Sequence, residues 1–171
     1  MKRAALAVLL LLAACSRGSA PVENKTAKPA TGLEAAAIQA GVIPDPNDTD
    51  ITGLYARDTD RVCVVPGASA YRIGVYVAYD ERENCGGSGT ATRVGEHVHV
   101  EMDGAEGCGF DARFDGDRLV FPARVPDACQ KLCVHRASFA ALSVDRLSES
   151  VSEASTLRDG KGRLLCAGGG G

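Results

Sequence analysis

The sequence has no tryptophan and few other aromatic residues, with four Phe and four Tyr among 171 residues. A hydrophobic core must therefore be built mainly from Val, Leu, Ile and Ala. After the first fifteen residues, no apolar run approaches the length of about 18 residues that a transmembrane helix needs. The length is typical of a single domain.

The sequence also lacks an excess of basic residues, since 19 Lys and Arg stand against 22 Asp and Glu. Nucleic-acid-binding domains usually carry a basic stripe, so this balance argues against a nucleic-acid partner. The sequence motifs of common catalytic sites are missing as well. There is no Gly-x-Ser-x-Gly nucleophile motif, and the glycine-rich residues 86–89 lack the Lys-Ser/Thr of a P-loop. We therefore expect no cofactor and no catalytic activity.

The first fifteen residues have the features of an export signal. Lys2 and Arg3 form a positive start, residues 4–14 are uncharged and rich in Leu and Ala, and Cys15 follows. The apolar segment fits a secretory signal and is too short to cross a bilayer as a helix. These features predict a signal peptide over residues 1–14. Its removal would take away two of the 19 basic residues and make the chain more acidic.

Leu12, Ala13, Ala14 and Cys15 resemble the lipobox of bacterial lipoproteins. The resemblance implies cleavage before Cys15, a diacylglyceryl thioether on its sulfur, and acylation of the new amine, with palmitate for example, in Gram-negative bacteria. Two or three acyl chains anchor firmly, because each buried CH₂ adds about 0.8 kcal/mol of membrane affinity. Ser16 follows the cysteine, and in such lipoproteins a residue other than Asp there implies attachment to the outer membrane if the source is Gram-negative. The alternative is an ordinary signal peptide cut near residue 20.

Residues 15–50 are predicted to be a lipidated N-terminus and flexible tether. A short helix is predicted within it, over residues 32–40. The acidic stretch 45–50 suggests an EF-hand, but Asp50 and Ala56 stand where that loop needs Gly and Glu. We interpret the stretch as a turn-rich entry to the folded domain.

Residues 51–167 are predicted to form one mainly β domain of the α+β kind. Short alternating segments separated by turns favour an antiparallel meander curled into a small barrel or sandwich. Residues 85–89 are predicted to be a glycine-rich loop, and the Gly tail 168–171 to be disordered. The predicted strands lie at 51–57, 61–65, 71–79, 90–94, 97–102, 108–115 and 119–121.

After residue 121 the pattern becomes helical. A short helical turn is predicted over 127–133, and a C-terminal helix over 138–152 with Ser138 as its N-cap. A last strand is predicted at 163–166. The apolar residues at helical spacing in the C-terminal helix are Phe139, Leu142, Val144, Leu147 and Val151.

Besides Cys15 the chain has six cysteines, and an even number in an exported protein predicts disulfides. They are Cys63, Cys85, Cys108, Cys129, Cys133 and Cys166. The meander favours the pair Cys85–Cys108, because both residues would lie at the same end of the sheet. Six cysteines allow 15 pairings, and the sequence alone does not choose among them. A disulfide Cys63–Cys166 would join the two ends of the domain, which leaves Cys129–Cys133. A metal site is disfavoured because no Cys-x-x-Cys occurs.

His97, His99 and Glu101 are the clearest candidates for a metal site. Residues two apart in a strand share a face, so the three side chains would project together. Two imidazoles and a carboxylate can bind zinc or another divalent metal. The alternative is a half-exposed strand, in which the apolar residues between them fill the core and the polar ones face water. That interpretation requires no metal.

These patterns predict a membrane-anchored lipoprotein of the bacterial cell envelope, with a non-catalytic binding or inhibitory domain in the periplasm or at the cell surface. Its partners would be the lipid bilayer, through acylated Cys15, and an envelope protein or a small ligand. One alternative is a metal-binding or enzymatic lipoprotein that uses His97, His99 and Glu101. Another is a purely structural envelope component.

Overall fold

A computed structural model describes residues 32–40, 42 and 50–167 of the chain. Within 50–167, eight antiparallel strands follow one another in sequence order and close into a barrel. The predicted mainly β meander is confirmed, and it takes the form of a barrel. The strands are β1 Gly53–Arg57, β2 Asp60–Val65, β3 Tyr71–Ala78, β4 Asn84–Val94, β5 His97–Met102, β6 Gly109–Phe114, β7 Arg118–Val120 and β8 Ser143–Ser148.

The helices of the described residues are short. Helix α1, Leu33–Gln39, lies in the predicted tether and buries none of its residues. A 3₁₀ helix at Asp127–Leu132 confirms the predicted helical turn. Helix α2, Val151–Ala154, is one turn long and begins after Ser150, whose Oγ accepts a hydrogen bond from the Glu153 amide. None of these helices is long and apolar enough to span a membrane.

Several sequence predictions concern residues outside the described part of the chain. They are the signal peptide 1–14, lipidation at Cys15, most of the tether, the acidic stretch up to residue 49, and the Gly tail 168–171. These remain predictions.

Alternation along the strands builds the barrel core. In β5, Val98, Val100 and Met102 are buried and the residues between them are exposed, and β6 shows the same pattern. Large side chains therefore occupy the interior, and any ligand would have to bind on the outside of the barrel. The buried rings are those of Tyr55, Phe110, Phe114, Phe121 and Phe139.

An arginine covers the end of the barrel at which residue 50 enters. The Arg146 side chain, from β8, is only 8% exposed, and its guanidinium lies 5.1 Å from the ring centroid of Phe114. It forms an ion pair with Glu149 at 2.9 Å and donates a hydrogen bond to the Asp50 carbonyl at 2.8 Å. The buried charge is thus partnered, as burial of a cation requires.

The opposite end is covered by the loop 121–142, which two disulfides hold. Cys85–Cys133 and Cys108–Cys129 join this loop to the barrel. The predicted pairs Cys85–Cys108 and Cys129–Cys133 are therefore wrong. Cys85 and Cys108 do lie at the same end of the meander, as predicted, but the loop crosses that end and provides a partner for each.

The predicted disulfide Cys63–Cys166 is confirmed. It attaches a C-terminal strap, residues 154–166, to the outer face of the barrel, where a second small cluster of buried apolar residues forms. Gly74 of β3 permits this contact. A Cβ at that position would lie 2.5 Å from Leu165 Cβ and 2.7 Å from Cys63 Sγ.

Two predictions for the C-terminal half are wrong. Residues 138–152 do not form a helix, because Ser143–Ser148 form β8, which pairs with β7 and β1 and closes the barrel. The apolar spacing fits a helix, but it also fits a buried loop followed by an alternating strand. Leu147 is accordingly 65% exposed. The predicted strand at 163–166 is replaced by an isolated bridge that involves Leu164.

The glycine-rich residues 85–89, predicted to be a loop, belong to β4. A Cβ on Gly87 would lie 2.9 Å from Met102 Cε inside the barrel, and one on Gly86 would lie 3.3 Å from Asp159 Cβ outside it. These glycines therefore allow close packing on both faces of a strand.

Candidate functional site

The predicted metal candidates lie together on the outer face of β5. His97, His99 and Glu101 are all exposed, as the strand periodicity predicts. Across the sheet, His97 faces Arg113 and His99 faces Asp111 of β6. His99 Nδ1 lies 2.8 Å from Asp111 Oδ1, and its Nε2 lies 3.0 Å from Glu101 Oε1. The structure thus joins His99 and Glu101 to Asp111 rather than to His97.

This arrangement suits a protonated imidazole. Both ring nitrogens of His99 lie within hydrogen-bond distance of carboxylate oxygens, and the hydrogen bonds with Asp111 and then Glu101 raise the pKa of His99 above its usual value. A metal would need one of those nitrogens as a ligand. Within the described residues, no group of three or more His, Cys, Asp or Glu side chains is arranged to hold a metal ion.

We expect Asp111→Asn to lower the pKa of His99, measured by NMR titration of its ring protons. The folded-state pKa lies above the unfolded value of about 6.5. The interaction therefore stabilises the fold below about pH 6.5, and this contribution is lost as the pH rises through the folded-state pKa. Asp117→Asn, which removes the same charge from the β6–β7 turn, is the control. If the pKa of His99 is the same in both variants, the hydrogen bond with Asp111 is not what raises it.

A tight turn at residues 134–136, here called the tip, is exposed at the disulfide-covered end of the barrel. Val134 is 42% exposed, and His135 and Arg136 are also exposed. The Ala137 amide donates a hydrogen bond to the Val134 carbonyl at 3.3 Å. His135 has a φ of 56°, a left-handed conformation that residues with a Cβ adopt at an energetic cost.

The backbone of the tip is held from several directions. Cys133, directly before it, forms a disulfide with β4. The Val134 amide donates to the Asn84 carbonyl at 2.8 Å. Gln130 Nε2 donates to the His135 carbonyl at 3.1 Å. The tip therefore presents its side chains on a fixed backbone.

A groove lies between the tip and the strap. It consists of two cavities of about 590 and 270 Å³ that share several lining residues and so form one depression. Tyr76 lies in the larger cavity and Leu132 in the smaller one. The shared residues are Asn84, Val134, Gly160 and Lys161.

The strap side of the groove is a turn built around Asp159. This nearly buried carboxylate accepts hydrogen bonds from the amides of Lys161 and Arg163, at 2.9 Å each, and pairs with the Arg163 guanidinium at 2.7 Å. Burial raises the pKa of Asp159, but the hydrogen bonds and the positive charge of Arg163 outweigh it, and the pKa lies below its usual value. The Asp159 and Arg163 charges offset each other, and Lys161 adds a further positive charge.

The remaining charges of the groove are mostly positive. Arg82, Lys131 and Lys161 are exposed, and none of them forms an ion pair within 4 Å with another described residue. Glu81 is the acidic lining residue besides Asp159. Lys131 and Lys161 are the only lysines in the part of the chain that the structure describes, and both line this groove.

The tip, the groove and the contact of Asp111 with His99 were not predicted from the sequence. One signal was available for Asp111, because the alternation in β6 predicts that its side chain points outward, next to the outer face of β5. Another signal was available for the groove, because the only two lysines of residues 50–167 lie in the last two loops of the chain. The left-handed conformation of His135 was not predicted, because no glycine marks this turn in the sequence.

Comparison of the sequence with models of protein families, with curated proteins and with solved structures finds no match.

Proposed function

We propose that the chain is a lipid-anchored, non-catalytic binding module of the bacterial cell envelope. The observation that carries this proposal is the exposed tip, whose backbone is fixed by a disulfide and hydrogen bonds around a left-handed His135. Asp58 and Ala141 share this left-handed conformation, and His135 differs from them in also lining the larger cavity of the groove. A backbone outlier at such a place supports a functional hypothesis. A partner that binds a preorganised turn avoids the entropic cost of ordering it.

The position of the tip supports this proposal. Residue 50 enters the barrel at one end, and the tip belongs to the loop that covers the other end. A tether attached to lipid at Cys15 would therefore leave the tip free to meet a partner. Disulfides are typical of proteins that fold outside the cytoplasm, which supports export.

Intact mass spectrometry of the membrane-extracted protein tests the anchor. We expect a chain that begins at Cys15 and carries acyl chains, and we expect Cys15→Ala to move the protein to the soluble fraction. An unmodified chain cut near residue 20 would contradict the anchor without bearing on the tip.

Photo-crosslinking in the native cells tests binding through the tip. A photoreactive amino acid at Arg136 is expected to give one discrete adduct with a protein partner. The control places the same amino acid at Leu147, which is 65% exposed on β8. The same adducts from both positions, or none from Arg136, would contradict binding through the tip.

We expect His135→Gly to stabilise the fold by about 0.5–1 kcal/mol while it weakens crosslinking from the tip. Glycine adopts a positive φ without the penalty of about 1–2 kcal/mol that other residues incur, but it adds about 0.4–1 kcal/mol of entropy to the unfolded chain. Urea unfolding measures the first effect. A destabilised variant would show that His135 makes contacts that support the fold, and would remove the argument from strain.

A further inference from the structure

We propose that the groove between the tip and the strap binds an extended acidic segment of a partner protein. This inference rests on the proposed binding function and gives the chemistry of the partner.

The positive charges are distributed along the groove. Arg82 lines the larger cavity, Lys131 lines the smaller one, and Lys161 lines both. Because these residues line two adjoining cavities rather than one, they match carboxylates placed along an extended chain. A single phosphate would need the donors to converge.

The local charge also differs from that of the whole chain, in which acidic residues outnumber basic ones. A cationic groove on an acidic protein directs an acidic partner to this place and repels it elsewhere. Lys131 and Lys161 have no ion pair within the described residues, so a partner's carboxylates would not have to displace one.

Apolar surface in the groove favours a polypeptide over a lipid surface. Val134 is 42% exposed, and the partly buried Leu132 and Tyr76 also line the depression. These side chains would contact apolar residues that alternate with the acidic ones. Gly160 keeps the strap side close to Tyr76, because a Cβ there would lie 2.8 Å from the tyrosine hydroxyl.

Fluorescence anisotropy with a defined probe tests the proposal on the full exported chain. The probe is a dye-labelled peptide of about ten residues in which Glu alternates with Val, which spans about 33 Å when extended. We expect it to bind, and a Lys-for-Glu version not to bind. Lys131→Glu and Lys161→Glu should each weaken binding about fivefold, the upper range for one exposed ion pair. Arg124→Glu makes the same charge change at an exposed residue outside the groove, and should change affinity less than twofold.

Other outcomes would overturn the inference. Equal weakening by all three substitutions would show non-specific attraction, and equal binding of the two peptides would show that charge does not select the ligand. If vesicles of anionic phospholipid bind and the Glu peptide does not, the groove recognises a lipid surface instead. A crosslink from Arg136 that persists when the Glu peptide fails to bind would leave the proposed function intact and remove only the acidic partner.

Discussion

Replacing both Cys63 and Cys166 with alanine is expected to lower the free energy of unfolding by about 4.7 kcal/mol, from the entropy of the loop that this disulfide closes. The two residues are 103 apart in sequence, the longest separation among the disulfides of residues 50–167. The disulfide also fixes the strap on the outer face of the barrel. We expect the loss of strap contacts to add to the destabilisation.

The Cys108→Ala/Cys129→Ala double variant is the matched control. Its residues are only 21 apart, and the same entropy estimate gives about 3.4 kcal/mol. Urea unfolding of both variants under non-reducing conditions gives the comparison. If removal of Cys108–Cys129 lowers the free energy of unfolding more than removal of Cys63–Cys166, chain entropy does not dominate. The contribution of Cys108–Cys129 would then come mainly from holding the loop that covers the barrel end.

Truncating Phe114 to alanine is expected to destabilise the fold by about 3–5 kcal/mol, because it opens a cavity in a filled barrel. The ring is 1% exposed and lies edge-on to Tyr55, with 6.4 Å between ring centroids. The guanidinium groups of Arg93 and Arg146 lie 4.6 and 5.1 Å from its centroid. The variant therefore loses both apolar contacts and the aromatic surface against which two cations rest.

Tyr79→Ala provides the comparison for this prediction, since Tyr79 is an aromatic residue at 58% exposure. We expect a change of less than about 0.5 kcal/mol, as is usual for surface substitutions. Urea unfolding followed by circular dichroism measures both variants. A loss below about 1.5 kcal/mol for Phe114→Ala would indicate that the barrel collapses around the missing ring.

The strands that were predicted well are those with one solvent-exposed face and one buried face. In β5 and β6, strict alternation of apolar and polar residues makes the side-chain period visible in the sequence. β4 was predicted only in part, because the glycines of its first half allow close packing and show no alternation of apolar and polar residues. β8 was missed because its single inward apolar residue, Val144, continues the helical spacing of the buried loop before it.

The disulfides and the groove show what a single sequence cannot provide. Cys85 and Cys108 lie at one end of the meander, as the strand order predicts, but the loop 121–142 crosses that end and provides a different partner for each. The groove has the same origin, since it joins the tip to the strap across β3 and β4. Such contacts between distant segments depend on tertiary packing, which local periodicity does not report.

Closure of the sheet affects how copies of this protein interact when many of them lie close together. Because β8 pairs with both β1 and β7, the strand order of the described residues closes on itself, and none of the eight strands stands at the open edge of a sheet. Open edges recruit strands from neighbouring molecules, and this tendency grows with local concentration. A protein confined by lipid to a membrane surface would be concentrated in two dimensions. The closed barrel would then let many copies stand side by side without joining into a shared sheet.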